Sequence, residues 1–162
     1  MAELISEENL MEEDTQRGKF LTFSIGNEFY GIEIANVTEI IGIQPITEVP
    51  ELPNYVKGII NLRGKIIPVM DVRLRFRKPP REYTDRTCVI VVDIKDVSVG
   101  LIVDSVAEVL SISEANIVPP PDLKTVQNRY IKGIGKVGDE VKLLLDCQRL
   151  LSEEEVGSLS EI

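Results

Sequence analysis

Hydrophobic and polar positions alternate in twos along much of the chain. Leu21, Phe23 and Ile25 are separated by polar or small residues, and after Gly26-Asn27 the alternation resumes at Tyr30, Ile32 and Ile34. A period of two sends successive side chains to opposite faces of a strand, and a Gly-Asn pair between two such runs predicts a hairpin. Val89 to Val92 is continuously apolar instead, which predicts a strand covered on both faces. Gly58 to Asn61 and Lys65 to Val69 read as a further hairpin, with Pro68 marking an edge or a bulge. Helical signals are short. Asp71 and Asp146 each precede about one turn of helix whose free amides a carboxylate can cap, and Ser152 to Glu155 has the capping-box spacing of a small terminal helix.

The pattern is written twice. Tyr30-Gly31-Ile32, Val37, Glu39, Ile40 and Ile41 recur as Val99-Gly100-Leu101, Val106, Glu108, Val109 and Leu110, always 69 residues later, and Phe23 and Ile25 recur as Val92 and Ile94. Val56-Lys57-Gly58-Ile59 recurs as Ile131-Lys132-Gly133-Ile134, and Ile66, Val69, Met70 and Asp71 recur as Val141, Leu144, Leu145 and Asp146, now 75 residues later. The second copy therefore holds six extra residues between Leu110 and Ile131, a stretch that includes the stiff run Val118-Pro119-Pro120-Pro121. About 55 residues of strands per copy suit a small closed barrel better than a sandwich. The expected fold is all-β: two similar five-stranded, SH3-like barrels packed together, with short helical turns and a short C-terminal helix. Residues 1–18 are expected to be a disordered acidic tail and 19–81 the first barrel. Residues 82–151 form the second, to which the N-terminal strand can contribute, and 152–162 the terminal helix and tail.

Composition narrows the function. Net charge is −9, but residues 57–86 carry nine of the eighteen Lys and Arg and stand at +6, leaving −15 elsewhere. An acidic chain with four Phe, four Tyr and no Trp lacks the basic footprint and stacking surface of a general nucleic-acid binder. No stretch approaches the roughly 20 apolar residues of a membrane span, and the acidic amino terminus is no secretory signal, so a cytoplasmic protein is expected. Cys88 and Cys147 have no metal or redox spacing and read as reduced thiols. With no histidine, no Gly-rich phosphate loop and no nucleophile elbow, the chain reads as no enzyme, and no cofactor or metal is expected. Glu39 and Glu108, at matching places in the repeat, read as exposed strand residues.

Duplication acts as an internal control: positions that both copies share serve the fold, and positions that differ are free for function. Asn61-Leu62-Arg63-Gly64-Lys65 corresponds to Lys136-Val137-Gly138-Asp139-Glu140. Arg63 stands where the other hairpin has glycine, so turn chemistry gains nothing from it, and an arginine at a tip is a good donor to a partner's carboxylates or carbonyls. Arg73, Arg75, Arg77, Lys78 and Arg81 lead into a linker, where charge serves solubility or a partner. Val37, Ile40, Ile41 and Ile43 exceed what one strand face buries, so part of them is expected to form a docking patch.

The run from Gly58 to Arg73, together with Tyr30-Gly31-Ile32, Val37-x-Glu39-Ile40 and the second-copy Val99 to Val109, resembles the signature stretches of CheW-like domains. The resemblance runs from about Phe20 to Leu151, and a free-standing member is the form that fits this length. It implies two SH3-like barrels and a non-catalytic adaptor that couples chemoreceptors to the histidine kinase CheA in bacterial chemotaxis. The partners implied are the cytoplasmic hairpin tip of a receptor and the regulatory domain of CheA. Neither nucleic acid nor direct membrane insertion is implied; recruitment to the membrane-associated receptor array is. The family's receptor-binding residues fall on Val37, Glu39, Ile40 and Arg63, and the candidate kinase contacts are Ile43, Val49, Gly58 and Leu123. Two rival readings are an SH3-like barrel binding RNA or the ribosome through residues 57–86, and a small ligand held between the barrels.

Overall fold

The computed structural model describes residues 17–121 and 129–160; the expected acidic tail, up to Gln16, and Leu123 lie outside the described residues. The strands are β1 (Lys19–Ile25), β2 (Glu28–Glu33), β3 (Val37–Gly42), β4 (Val56–Leu62), β5 (Lys65–Asp71), β6 (Cys88–Ile94), β7 (Val97–Val103), β8 (Ser105–Ser111), β9 (Ile117–Val118), β10 (Ile131–Val137) and β11 (Glu140–Leu145). The predicted caps are present. Asp71 and Asp146 accept the amides of Arg73 (2.9 Å) and Gln148 (3.0 Å), and Ser152 and Glu155 exchange both capping-box bonds at the head of the helix Glu153–Ser160.

The strands form two sheets. The order is β3-β6-β7-β5-β4 in barrel I and β8-β1-β2-β11-β10-β9 in barrel II. Under the repeat, β1 to β5 correspond to β6, β7, β8, β10 and β11, so the two orders are the same. Each copy nevertheless places its opening hairpin in the other copy's barrel: β1 and β2 lie in barrel II, β6 and β7 in barrel I. The boundary expected at 81/82 therefore separates the two copies of the sequence but not the two sheets. Chain length supplies the reason. Within one copy, folding β3 back beside β1 would require the connection from Glu33 to Val37 to run the length of a strand. That connection spans at most ~14 Å, against roughly 20 Å for a strand of this size. In the second copy Asp104 alone separates β7 from β8.

Each barrel closes in the same way. In barrel I, Thr47 and Ile59 exchange backbone hydrogen bonds of 2.9 Å each, joining the segment after β3 to β4. In barrel II the equivalent closure is the two-residue β9, which pairs Val118 with Ile134 and Ile117 with Gly135 on β10. It is the sixth strand of a barrel expected to have five. Pro68 lacks an amide and sits where β5 is paired only with β4, because the parallel pairing of β5 with β7 begins at Val69.

The main core lies between the barrels and draws on both. Phe23, Tyr30, Phe76 and Tyr130 form a chain of rings with successive centroids 5.4–5.8 Å apart, flanked by Ile25, Ile32, Ile90, Ile94 and Leu101. Smaller clusters fill each barrel: Ile60, Ile67, Val89 and Ile102 in barrel I, Phe20, Ile112 and Leu144 in barrel II. The helix Glu153–Ser160 adds Val156 and Leu159 to the shared core.

Candidate functional site at the tip of barrel I

Glu39 and Arg63 are 24 residues apart, and closure of barrel I brings the β4–β5 hairpin tip to β3. There the guanidinium meets the carboxylate edge to edge, Nη1 to Oε1 at 2.7 Å and Nη2 to Oε2 at 2.5 Å. The hydrogen bonds from Arg63, reinforced by its charge, hold the Glu39 carboxyl below its usual range. The Arg63 side chain is 71% exposed and that of Glu39 29%, so the pair sits at the surface with most donors of the guanidinium turned outward.

The turn that carries Arg63 would suit glycine better. Arg63 has φ 52° and Gly64 φ 85°, both in the left-handed region, and Asn61 Oδ1 accepts the Gly64 amide at 2.8 Å to close the loop. A side chain in that region costs on the order of 1 kcal/mol relative to glycine, and the corresponding tip, Gly138 at φ 60°, avoids the cost. Barrel I thus holds an arginine where local structure prefers none. Glu108, the repeat counterpart of Glu39, faces no arginine in the corresponding turn and forms no ion pair among the described residues.

The other predicted receptor residues share β3. Its burial alternates: Val37, Glu39 and Ile41 are half-buried, while Thr38, Ile40 and Gly42 are exposed. A bulge between Val37 and Glu39 turns Val37 onto the inter-barrel core, where its counterpart Val106 also packs. Ile40 is 43% exposed on the opposite side of the strand from Glu39, and its counterpart Val109 is exposed as well. Ile41 and Ile43 pack half-buried against the barrel I cluster, so of the expected apolar excess only Ile40 faces solvent.

Among the candidate kinase contacts, Ile43 and Val49 are half-buried. Gly58 has a duty in the fold: a Cβ there would lie 2.1 Å from the Thr47 carbonyl at the barrel seam, and its φ of +146° suits glycine alone.

The basic stretch after β5 has partners that its sequence did not announce. Asp104 accepts Arg73 Nε and Nη2 (2.9 Å each), Arg81 Nη1 (3.1 Å) and the Gly26 amide (2.7 Å), so one carboxylate ties the β1–β2 turn, the helical turn after β5 and the linker together. Burial works against that carboxylate, but the hydrogen bonds and positive charges outweigh it and hold its pKa below the usual range. Arg75 pairs bidentately with Glu155 (2.7 and 3.0 Å) and lies 4.2 Å over the Tyr55 ring, and the Tyr55 hydroxyl also donates to Glu155. No local pattern marks Asp104 or Glu155 as the acceptors.

Cys88 and Cys147 are free thiols, and burial pushes Cys147 up to about 12, which keeps it protonated. Among the described residues no cluster of His, Cys, Asp or Glu is arranged to hold a metal ion, and no helix is long and apolar enough to cross a membrane.

Comparison with known proteins places the chain, by sequence and by fold, in a family. The profile of the CheW-like domain matches residues 19–155. The chain is 37% identical over 150 residues to the chemotaxis protein CheW of Klebsiella aerogenes, covering 92% of this chain and 90% of that one. It is 32% identical over 157 residues to the chemotaxis protein CheW of Treponema pallidum, covering 94% and 92%. The crystal structure of the scaffolding protein TtCheW from Thermoanaerobacter tengcongensis superposes with a TM-score of 0.79 at 38% identity, covering 85% of this chain and 94% of that one.

Proposed function

The chain belongs to the CheW-like domain family, and from that premise we propose that it is a non-catalytic scaffold of bacterial chemotaxis, coupling chemoreceptors to the histidine kinase CheA. It works in the cytoplasm and is recruited to the receptor array at the membrane. The receptor's helical hairpin tip meets the edge of β3, with the exposed Ile40 on one side, Arg63 and Glu39 fixing its register on the other, and the half-buried Val37 bordering the contact. Coupling passes through rigid contact between barrels, with Ile43 and Val49 among the residues that meet the kinase.

The observation that carries this reading is the Arg63–Glu39 pair itself. Its geometry is bidentate and set before any partner arrives, so less side-chain freedom is lost on binding. It rests on a left-handed turn that the fold alone would fill with glycine. The RNA reading loses support at the same level of detail: Arg73, Arg75, Lys78 and Arg81, four of the nine cations in residues 57–86, are engaged in internal ion pairs away from the Arg63 tip.

Arg63→Ala is expected to reduce capture of the chain by an immobilised receptor cytoplasmic fragment at least tenfold, with an unchanged circular dichroism spectrum; tenfold is about 1.4 kcal/mol of binding. Capture equal to that of the unaltered chain would remove Arg63 from the site.

A further inference from the structure

Asn61 stands two residues before Arg63 on β4, exposed, and its Oδ1 accepts the Gly64 amide at 2.8 Å. That amide belongs to the peptide group between Arg63 and Gly64, the central unit of the two-residue turn that joins β4 to β5. Two-residue hairpin turns come mainly in two forms, I′ and II′, which differ by about a half-turn flip of that one unit. In type I′ both turn residues have positive φ; in type II′ only the first does. The two barrels use one form each. Arg63 and Gly64 are both left-handed, at φ 52° and 85°, whereas at the second tip Gly138 is, at φ 60°, and Asp139 is not.

The form of the turn decides which residue can stand first in it. In type I′ the first residue has ψ near about +30°, in the small left-handed basin that a residue with a Cβ can occupy. In type II′ its ψ is near about −120°, outside every basin open to such a residue, and glycine is the default. Arginine at position 63 is therefore compatible with one of the two forms only. Asn61 is the side chain bonded to the peptide whose flip would convert one into the other.

The duplication shows that the hairpin does not need this bond. Asn61 corresponds to Lys136, an ammonium with no acceptor to offer, and the second hairpin closes through Gly138-Asp139 without one. The three residues Asn61, Arg63 and Gly64 thus differ from their repeat mates together. The glutamate on the neighbouring strand, Glu39 or Glu108, is present in both copies. What barrel I adds to the common frame is an arginine and the acceptor that fixes its turn. The edge-to-edge fit of Arg63 to Glu39, at 2.7 and 2.5 Å, depends on the line along which the Arg63 side chain leaves the backbone. A flipped peptide changes that line.

We infer that Asn61 is a positioning residue: by holding the central peptide of the turn in the I′ form, it keeps Arg63 aimed at Glu39 before any partner arrives. Its consequence for binding rests on the proposal above that the Arg63–Glu39 pair meets the receptor. A tip that exchanges between forms binds more weakly by the fraction of time it spends misaligned.

The test follows the pair and the binding separately. In 13C-labelled protein the Glu39 carboxyl reports the pair directly, because the bonds from Arg63 hold its titration below the usual carboxylate range. In Asn61→Ala that titration is expected to move up toward the range of an unpaired glutamate, with an unchanged circular dichroism spectrum. Capture by the immobilised receptor cytoplasmic fragment is expected to fall roughly threefold to tenfold, the scale of one lost hydrogen bond. Asn61→Ala/Arg63→Ala is expected to bind no worse than Arg63→Ala alone, since Asn61 acts through the guanidinium. A Glu39 titration that stays low in Asn61→Ala, or a further loss of binding in the double variant, overturns the inference. If the titration moves while neither Asn61→Ala nor Arg63→Ala changes capture, the hold of Asn61 on Arg63 stands and the receptor reading fails.

Discussion

At the scale of single residues, the two copies of the repeat separate what the barrel needs from what it carries. Gly58 and Gly133 occupy equivalent places in the seams of the two barrels, but a Cβ at Gly58 would lie 2.1 Å from the Thr47 carbonyl, whereas at Gly133 it would meet the Ile117 Cγ2 methyl at 2.9 Å. Backbone cannot step aside as a methyl can, and Gly58 alone of the two has positive φ. Gly58→Ala is therefore expected to cost about 3 kcal/mol or more of unfolding free energy and Gly133→Ala about 1–2 kcal/mol, measured from urea denaturation midpoints. Equal costs would show that the seam yields at both places. Gly58 entered as a kinase contact through the family resemblance, and its steric duty toward Thr47, 11 residues away, leaves no local trace in the sequence. Sequence reasoning found Arg63 because the other hairpin has glycine there. It could not find the pairing of Arg63 with Glu39, which exists only once the barrel closes and carries the hairpin tip across to β3.

At the scale of elements, signals that act within a few residues were legible and those that act across the chain were not. The caps at Asp71 and Asp146 and the box at Ser152–Glu155 depend on bonds spanning two or three residues, and all are present. The Arg73, Arg75 and Arg81 side chains looked like a solvated linker because their acceptors are distant: Asp104 lies 31 residues from Arg73, and Glu155 lies 80 from Arg75. That distance has a thermodynamic consequence. The Asp104 carboxyl titrates lower in the folded chain than in the unfolded one, so its contribution is complete above the ordinary carboxylate range and is lost as pH falls through the folded value. Asp104→Asn is expected to lower stability by about 1–2 kcal/mol at pH 7, with the deficit shrinking toward zero near pH 2. Urea titrations of both proteins across that range check the sign. A deficit that stays constant with pH would mean that Asp104 contributes by shape rather than by charge.

At the scale of the whole molecule, the repeat and the all-β class were readable from periodicity, which reports the faces that are buried. Periodicity does not report which strand covers them: the N-terminal strand is expected to be able to join the second barrel, as β1 does, but the reciprocal exchange of whole hairpins is not foreseen. The information was present in the connections. Three residues, Ile34–Asn36, separate β2 from β3, and Asp104 alone separates β7 from β8, too few to bring either hairpin home across its own barrel. Each barrel is consequently completed by the other copy, and the aromatic chain from Phe23 to Tyr130 passes through both. Such an arrangement has no half that can keep its structure. Residues 1–81 and 82–162, made separately, are expected to give unstructured spectra and to recover the β signal only when mixed in equal amounts. The intact chain is expected to unfold in one calorimetric transition whose van't Hoff and calorimetric enthalpies agree. Two resolved transitions, or a half that folds alone, would mean that a copy can retrieve its own hairpin despite the short link. The shared core would then be a contact between independent barrels, not the structure that holds the tip of barrel I in place.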